Sequence, residues 1–166
     1  SNGLLGQKII YELVKRNNVN LIASSRGNNR LVNKSGYNYI DLDITNKKDV
    51  DKVILEIQPH AVINCAAMTN VDACENDKKL CWDLNVNAVS YLITESEKHN
   101  THLIHLSTDF VFDGEDGPYK ETDKPNPLSY YAKSKLASEE LLLASDYKNT
   151  AIARTIIVYG VGENLS

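Results

Sequence analysis

The sequence predicts an α/β fold built on a doubly wound parallel sheet. Patterns typical of strands and of helices alternate along the whole chain, and no repeat, low-complexity tract or linker divides it. A chain of 166 residues suits one domain with a sizeable core. A content of 42% hydrophobic and 24% charged residues is typical of a globular protein and excludes collagen-like or largely disordered chains.

The first half of the chain holds two predicted helices and three predicted strands. Apolar residues at helical spacing predict a helix over 6–16, and a short apolar run predicts a buried strand over 19–25. Residues 37–43 alternate as a strand does, and Thr45 is placed to cap the helix that follows. The third strand, over 61–67, runs into a turn of small residues.

The second half continues the alternation. A longer helix is predicted over 77–99 and a strand over 101–107, followed by a loop of about twenty residues, a length that usually indicates a functional or mobile segment. Ser129 is placed to cap a helix over 130–144, and a last strand over 150–160 ends at a glycine.

Charge and composition exclude several partners. Eighteen basic and 22 acidic residues give a net charge of −4, which favours neither nucleic acid nor an anionic membrane. With no apolar run of membrane-spanning length and no secretory signal pattern, a cytoplasmic protein is expected. Cys65, Cys74 and Cys81 lack C-x-x-C spacing and are expected to be reduced. No metal site is predicted, because His102 and His105 lie three apart on a strand and point to opposite faces.

Two glycines at the start of the first helix form a candidate phosphate site. Gly3 and Gly6 stand three apart, and a helix N-terminus offers free N–H groups and positive dipole charge to a pyrophosphate. Glycines also open helices for turn geometry alone, so the spacing by itself is weak. The strand that ends about twenty residues later, where a dinucleotide's ribose is read, strengthens the prediction of a Rossmann-type nucleotide-binding sheet.

The end of that strand carries basic residues where an acid is usual. Ser24, Ser25 and Arg26 stand there, with Arg30 beyond. An acid would bind the ribose 2′-hydroxyl and repel a 2′-phosphate, whereas a guanidinium binds the phosphate with charge-assisted hydrogen bonds. The sequence therefore favours NADPH over NADH, with solvated loop arginines as the alternative.

A hydroxyl, a tyrosine and a lysine suggest carbonyl reduction. Tyr131 and Lys135 form Y-x-x-x-K on one face of a helix start, one strand and one loop after Thr108. Alone, such a pair usually means a half-exposed helix surface. Beside the carboxyl end of a parallel strand, the tyrosine could serve as general acid, with its pKa lowered by the ammonium while the hydroxyl orients the substrate oxygen.

Six segments together resemble the extended short-chain dehydrogenase/reductases, and most closely the dTDP-4-dehydrorhamnose reductase family. The resemblance covers essentially the whole chain. It implies a Rossmann domain followed by a smaller substrate domain, and hydride transfer from a reduced nicotinamide cofactor to the 4-keto group of a nucleotide-linked deoxysugar. The segments are NGLLGQ (2–7), NCAAMTNVDACE (64–75), LNV (84–86), STDFVFDG (107–114), YAKSK (131–135) and RTIIVYG (154–160).

The resemblance also implies roles for individual residues. Thr108, Tyr131 and Lys135 would be catalytic, and Thr108 and Asp109 would contact the substrate. Asn85 matches a family asparagine, with a structural hydrogen bond as the alternative to a catalytic role. Besides Tyr131 and Lys135, three groups of residues would contact the cofactor. The pyrophosphate would lie against Gly3, Leu4, Leu5 and Gly6. The adenosine part would lie against Arg26, Asp43 and Ile44, and the nicotinamide side against Cys65, Ala66 and Ala67. For the last three, tight helix–sheet packing is the alternative.

Two departures from the family pattern bear on these expectations. Ile157 stands where the reductases usually have a tryptophan, which weakens the identification of the sugar. The first strand and its glycine do not precede Ser1 in this sequence. We therefore expect residues 1–166 to form a partial Rossmann domain, with a strand upstream and a substrate domain beyond Ser166.

The function favoured by the sequence is an NADPH-dependent reductase of a nucleotide-sugar 4-ketone in dTDP-rhamnose biosynthesis. NADH is the alternative cofactor, and a homodimer is one candidate assembly. Another extended short-chain reductase or epimerase is an alternative of the same class. A different class is also open, because the non-catalytic regulatory β subunit of methionine adenosyltransferase has the same fold and similar motifs.

Overall fold

The computed structural model describes residues 1–165, and the elements in that range alternate as the sequence predicts. The helices are α1 (Leu4–Leu13), α2 (Lys47–Ile57), α3 (Val71–Asn76), α4 (Lys78–Trp82), α5 (Ala88–His99) and α6 (Tyr130–Ala144). The strands are β1 (Ile22–Ser25), β2 (Asn38–Asp41), β3 (Ala61–Asn64), β4 (His102–Thr108) and β5 (Thr150–Thr155).

All strand pairs described are parallel, and they form two groups. β1 pairs with β2, while β4 lies between β3 and β5. In the Rossmann order 3-2-1-4-5-6 these groups take positions 3-2 and 4-5-6. Within residues 1–165 no strand lies between β1 and β3, as expected for a sequence in which the first Rossmann strand does not precede Ser1. The Rossmann-type α/β fold class is confirmed.

Two apolar clusters hold the layers together. The larger packs α2, α5 and α6 onto the sheet around β4, and Val50, Val89 and Leu103 at its centre are at most 1% exposed. The smaller packs α1 onto β1 through Ile10 and Ala23. Because the larger cluster covers β4, that strand offers the most rigid base for side chains at its carboxyl end.

Two of the predicted boundaries are wrong. Thr45 does not cap α2: its hydroxyl donates to Asp43 instead, and Asn46 accepts from the N–H of Lys48 as the cap. The last strand stops at Thr155 rather than at 160. The helix predicted over 77–99 is confirmed: Asp77 is the N-cap of α4, and a π-helical turn at Asp83–Asn87 joins α4 to α5, which ends at His99.

The start of α6 is confirmed. Ser129 has an extended backbone, and its hydroxyl accepts a hydrogen bond from the N–H of Ala132, so the helix begins at Tyr130. This cap fixes Tyr131 in the first turn. Lys135 then follows about one turn later on the same face.

The long loop between β4 and α6 is an organised structure. The rings of Phe112 and Tyr119 stack with centroids 4.4 Å apart, and Asp113 accepts hydrogen bonds from Tyr119 and Asn126. These two bonds hold the pKa of the Asp113 carboxyl down at about 2. Arg154 of β5 lies over the Phe112 ring, so the loop is attached to the sheet.

Candidate active site

A cavity of about 470 Å³ opens where the carboxyl ends of β3, β4 and β5 face the N-terminus of α1. This edge is where ligands bind in open parallel sheets. The cavity brings together most of the residues named from the sequence, which come from four separated parts of the chain: Gly3, Leu4, Leu5 and Gly6; Cys65, Ala66 and Ala67; Thr108 and Asp109; Tyr131 and Lys135.

The α1 end of the cavity suits a phosphate group. Gly3 is the N-cap in an extended conformation, no side chain caps the helix, and its first turn holds no acidic residue. A Cβ at Gly3 would meet no atom within 4 Å, so packing inside residues 1–165 does not require glycine there. A Cβ at Gly6 would lie 2.9 Å from the backbone of Ser1, so only glycine fits that close approach. The open helix end and the space beside Gly3 fit a dinucleotide pyrophosphate.

Thr108 occupies the carboxyl end of β4. The residue is 7% exposed, its Oγ1 donates to an Asp109 carboxylate oxygen at 3.2 Å, and Oγ1 itself accepts from the N–H of Phe110. These contacts fix the hydroxyl at the cavity wall. The neighbouring Ser107 hydroxyl is also buried and has no hydrogen-bond partner within residues 1–165, which fits a polar group supplied by a bound molecule.

Tyr131 lines the cavity from the first turn of α6, with its ring edge-on to Phe110 at 6.3 Å. Burial raises the pKa of its phenol above the ordinary value, and the Thr108 hydroxyl opposes that rise. The net pKa of Tyr131 is thus raised, because desolvation is the larger effect, and the lowering expected from the Lys135 ammonium stays a prediction. A phenol with a raised pKa is fully protonated at neutral pH and can donate its proton.

Lys135 is a nearly buried cation, 2% exposed. Its ammonium donates to the carbonyl oxygen of Leu106 at 2.7 Å and lies 3.1 Å from Nε2 of His105. Burial lowers the pKa of this ammonium to about 8, while the Glu139 carboxylate acts in the opposite direction. With a pKa this close to neutral pH, the protonation state of Lys135 is sensitive to small changes in the polarity and charge of its surroundings.

The predicted adenine-side residues Arg26, Asp43 and Ile44 do not line this cavity. Arg26 follows β1 and Asp43 follows β2, and their charged groups lie 3.7 Å apart at the surface. The hydrogen bond from the Thr45 hydroxyl is the main cause of a lowered pKa at Asp43, and Arg26 contributes further. Arg26 and Asp43 thus form a separate edge outside the cavity, while Ile44 packs against the larger apolar cluster.

Sequence reasoning missed part of the wall. Residues from the segment after β5 close the cavity opposite β3, and the signal for them was the RTIIVYG segment, which was used only for the resemblance. Ile157, the residue in place of the family's tryptophan, lies in this wall. The missed residues are Ser1, Thr69, Leu106, Phe110, Thr155, Ile156 and Val158.

Asn85 has a structural position. It is fully buried in the π-helical turn, where its amide accepts from the N–H of Met68, donates to the carbonyl of Met68 and donates to the Ser134 hydroxyl at 2.9 Å. The amide thus connects the segment after β3 to α6. It does not line the cavity.

The comparisons with known proteins identify the family of the chain. A family model described as the RmlD substrate binding domain matches residues 1–166. The chain belongs to this family. It is 43% identical over 123 residues to a dTDP-4-dehydrorhamnose reductase of Aggregatibacter actinomycetemcomitans, a match that covers 74% of this chain and 42% of the relative.

Two other relatives widen the comparison. The chain is 32% identical over 165 residues to the Bos taurus methionine adenosyltransferase 2 subunit beta, covering 99% of this chain and 47% of the relative. A crystal structure of dTDP-4-dehydrorhamnose reductase from Bacillus anthracis in complex with NADP superposes with a TM-score of 0.71 at 34% identity. That match covers 77% of this chain and 47% of the other. The chain spans less than half the length of each of these three proteins.

Residues 1–165 contain neither a membrane-spanning helix nor a metal-binding group of side chains. No helix there has the length and apolar character needed to cross a membrane. In the same range, no three histidine, cysteine or acidic side chains are grouped so that they could hold a metal ion.

Proposed function

We propose that the protein is an NADPH-dependent reductase of a nucleotide-sugar 4-ketone, of the dTDP-4-dehydrorhamnose reductase type. The observation that carries this proposal is the convergence of Thr108, Tyr131 and Lys135 on one cavity that also receives the open N-terminus of α1. Nicotinamide cofactors supply a hydride when bound, and the cavity offers a dinucleotide both a phosphate site and small side chains at 65–67.

In this mechanism the chain's own residues handle the proton and the carbonyl oxygen. Tyr131, protonated at neutral pH, donates its phenolic proton to the oxygen as negative charge develops there. Thr108, fixed at the end of β4, hydrogen-bonds the same oxygen and orients it. Lys135 holds positive charge one helical turn from Tyr131 and stabilises the phenolate that remains.

The cofactor preference is proposed to depend on Arg26. Its side chain is 71% exposed and only loosely paired with Asp43, so the guanidinium is available to a 2′-phosphate on the adenosine ribose. The relative from Bacillus anthracis was crystallised with NADP, which supports this preference.

The test is NADPH oxidation by the full encoded protein with a 4-keto-6-deoxysugar linked to dTDP. We expect turnover that depends on both the keto-sugar nucleotide and the cofactor. Tight NADPH binding without turnover on this or any related keto-sugar nucleotide would contradict the proposal.

A non-catalytic regulatory subunit is the second candidate. The specific observation in its favour is coverage: the match to the methionine adenosyltransferase subunit extends over 99% of this chain, against 74% for the Aggregatibacter reductase. Such a protein would bind cofactor, show no reductase activity, and co-purify with a methionine adenosyltransferase catalytic chain. Measuring turnover and co-purification on one preparation separates the two functions.

A further inference from the structure

A buried polar cluster lies directly behind Lys135, and the proposed mechanism leaves it unexplained. His105 of β4 is fully buried, and its Nε2 lies 3.1 Å from the Lys135 ammonium and 3.0 Å from the Ser138 hydroxyl. Its other ring nitrogen, Nδ1, lies 3.2 Å from the amide nitrogen of Asn64 at the end of β3. A fully buried histidine in contact with a buried lysine must stay neutral, so the position of its single proton decides how it acts on the lysine.

Asn64 determines which ring nitrogen carries that proton. Its Oδ1 accepts from the N–H of Ala66 at 3.1 Å, which places the amide NH₂ toward His105. A proton on Nδ1 would then face an N–H donor, so Nδ1 must be the acceptor. The proton of the neutral ring is therefore on Nε2.

Ser138 supports the same assignment from the opposite side of the ring. The hydroxyl of Ser138 donates to the carbonyl oxygen of Lys135 at 2.7 Å, so its proton is already used. Its lone pairs remain to accept the Nε2–H of His105. Both neighbours of the imidazole thus favour one tautomer.

This tautomer presents an N–H, not a lone pair, toward Lys135. A positive N–H end beside an ammonium disfavours the charged form of the lysine and favours the neutral amine. We propose that His105, with its tautomer fixed by Asn64, is a positioning residue that weakens proton binding by Lys135. The imidazole sets the proton affinity of the lysine without touching substrate or cofactor.

Other charged and titratable groups around Lys135 act in the opposite direction or are neutral. The Glu139 carboxylate raises the pKa of the lysine, and so does the buried Cys81 thiol of α4. Glu139 is paired with Arg154, and Tyr131 is a protonated phenol. Burial lowers the pKa of His105 itself to about 3, with the Lys135 charge as the second cause, so the ring stays neutral through the working range.

The first test determines the tautomer directly. Nitrogen-15 NMR of histidine-labelled full encoded protein is expected to find the His105 proton on Nε2 at neutral pH. Asn64→Asp should move the proton to Nδ1, because a carboxylate accepts where the amide donated. A proton on Nδ1 in the unaltered protein would overturn the inference, and this holds even if other variants fail to fold.

The second test measures the lysine. Carbon-13 labelling of the lysine side chains, with Lys135→Met for assignment, follows the titration of Lys135. His105→Phe should raise the Lys135 pKa by about one unit, since the ring shape remains and the N–H is lost. The matched control is His102→Phe on the same strand, where the histidine contacts Asn149 and should leave Lys135 unaffected. An unchanged or lowered Lys135 pKa in His105→Phe would contradict the proposal.

The inference rests on the proposed function for its importance, but both measurements are made without turnover. A protein inactive on every keto-sugar nucleotide, with the expected NMR results, would overturn the proposed function alone. The opposite NMR results in an active reductase would overturn only the role of His105.

Discussion

The two halves of the sheet carry their charges in different ways. On the adenine side, β1 and β2, Arg26 and Asp43 lie 3.7 Å apart with side chains 71% and 34% exposed. On the catalytic side, β3 to β5 with α6, Arg154 binds Glu139 through two nitrogens, the shorter contact being 2.6 Å, and the side chains are 20% and 1% exposed. Exposed, loosely paired groups can change partners when a ligand binds, whereas buried, fully bonded groups cannot. If the proposed function holds, cofactor discrimination belongs to the first side and fixed catalytic geometry to the second.

The largest expected effect concerns the connection between the halves. Within residues 1–165 the facing edges of β1 and β3 are not joined by a strand, and one β1 edge carbonyl, that of Ser24, accepts from the Ser1 ammonium. Each buried unpaired backbone group costs about 1–3 kcal/mol. We therefore expect residues 1–166, produced alone, to melt without a sharp transition in circular dichroism. The same chain preceded by a strand-forming segment should melt cooperatively, and a sharp transition with tight NADPH binding in residues 1–166 alone would contradict this.

The next largest effect tests the catalytic side. Tyr131→Phe in the full encoded protein should lower kcat by about 10²- to 10⁴-fold, as expected for loss of a positioned general acid. NADPH affinity should change little, because the phenol faces the substrate rather than the adenine end. Tyr130→Phe is the matched control, since Tyr130 lies one residue earlier and outside the cavity wall. Near-normal kcat in Tyr131→Phe would remove the tyrosine from the mechanism.

Breaking the buried pair tests whether the catalytic side is fixed by its bonds. Arg154→Met leaves the Glu139 carboxylate buried without its partner and should lower the free energy of unfolding by about 3–5 kcal/mol. Lys15→Met, which removes an exposed partner of Glu12 on α1, should leave the free energy of unfolding almost unchanged. Urea unfolding of both variants measures the difference. Equal losses would mean that burial does not distinguish the two halves.

The parts of this site that sequence could predict are those set by local pattern. Thr108 ends an apolar strand and Ser129 caps the helix that carries Tyr131, and both features are visible in short stretches of sequence. The contact of His105 with Lys135 and the pairing of Glu139 with Arg154 depend on how α6 packs against β4 and β5, which no spacing in the chain specifies. The π-helical turn that carries Asn85 was missed for the same reason, since its buried amide is held by partners from distant segments. The strand and helix order was predictable, and the buried polar network was not.

On the adenine side, Arg26→Ala tests the exposed edge. If Arg26 binds a 2′-phosphate, the variant should lose about 1.5–3 kcal/mol of NADPH affinity, the range for hydrogen bonds to charged groups. NADH, which lacks that phosphate, should bind almost as before. Titration of the full encoded protein with both cofactors gives the two values. The expected difference disappears if Arg26 is only a solvated surface residue, in which case both affinities would change equally or not at all.

The smallest expected effect is a pH dependence that belongs to the catalytic side alone. Burial holds the pKa of His105 near 3 in the folded chain, whereas an unfolded histidine titrates near 6.5. Between these values the unfolded state binds a proton that the folded state does not, so stability falls as pH decreases. Between pH 7 and 5.5 this one group should lower the free energy of unfolding by about 1 kcal/mol. Urea unfolding at the two pH values should show that His105→Phe loses this component while His102→Phe retains it, because only the buried ring is kept from its proton. If His105→Phe and the unaltered protein lost stability equally over this range, the imidazole could not be the buried neutral group that the structure describes.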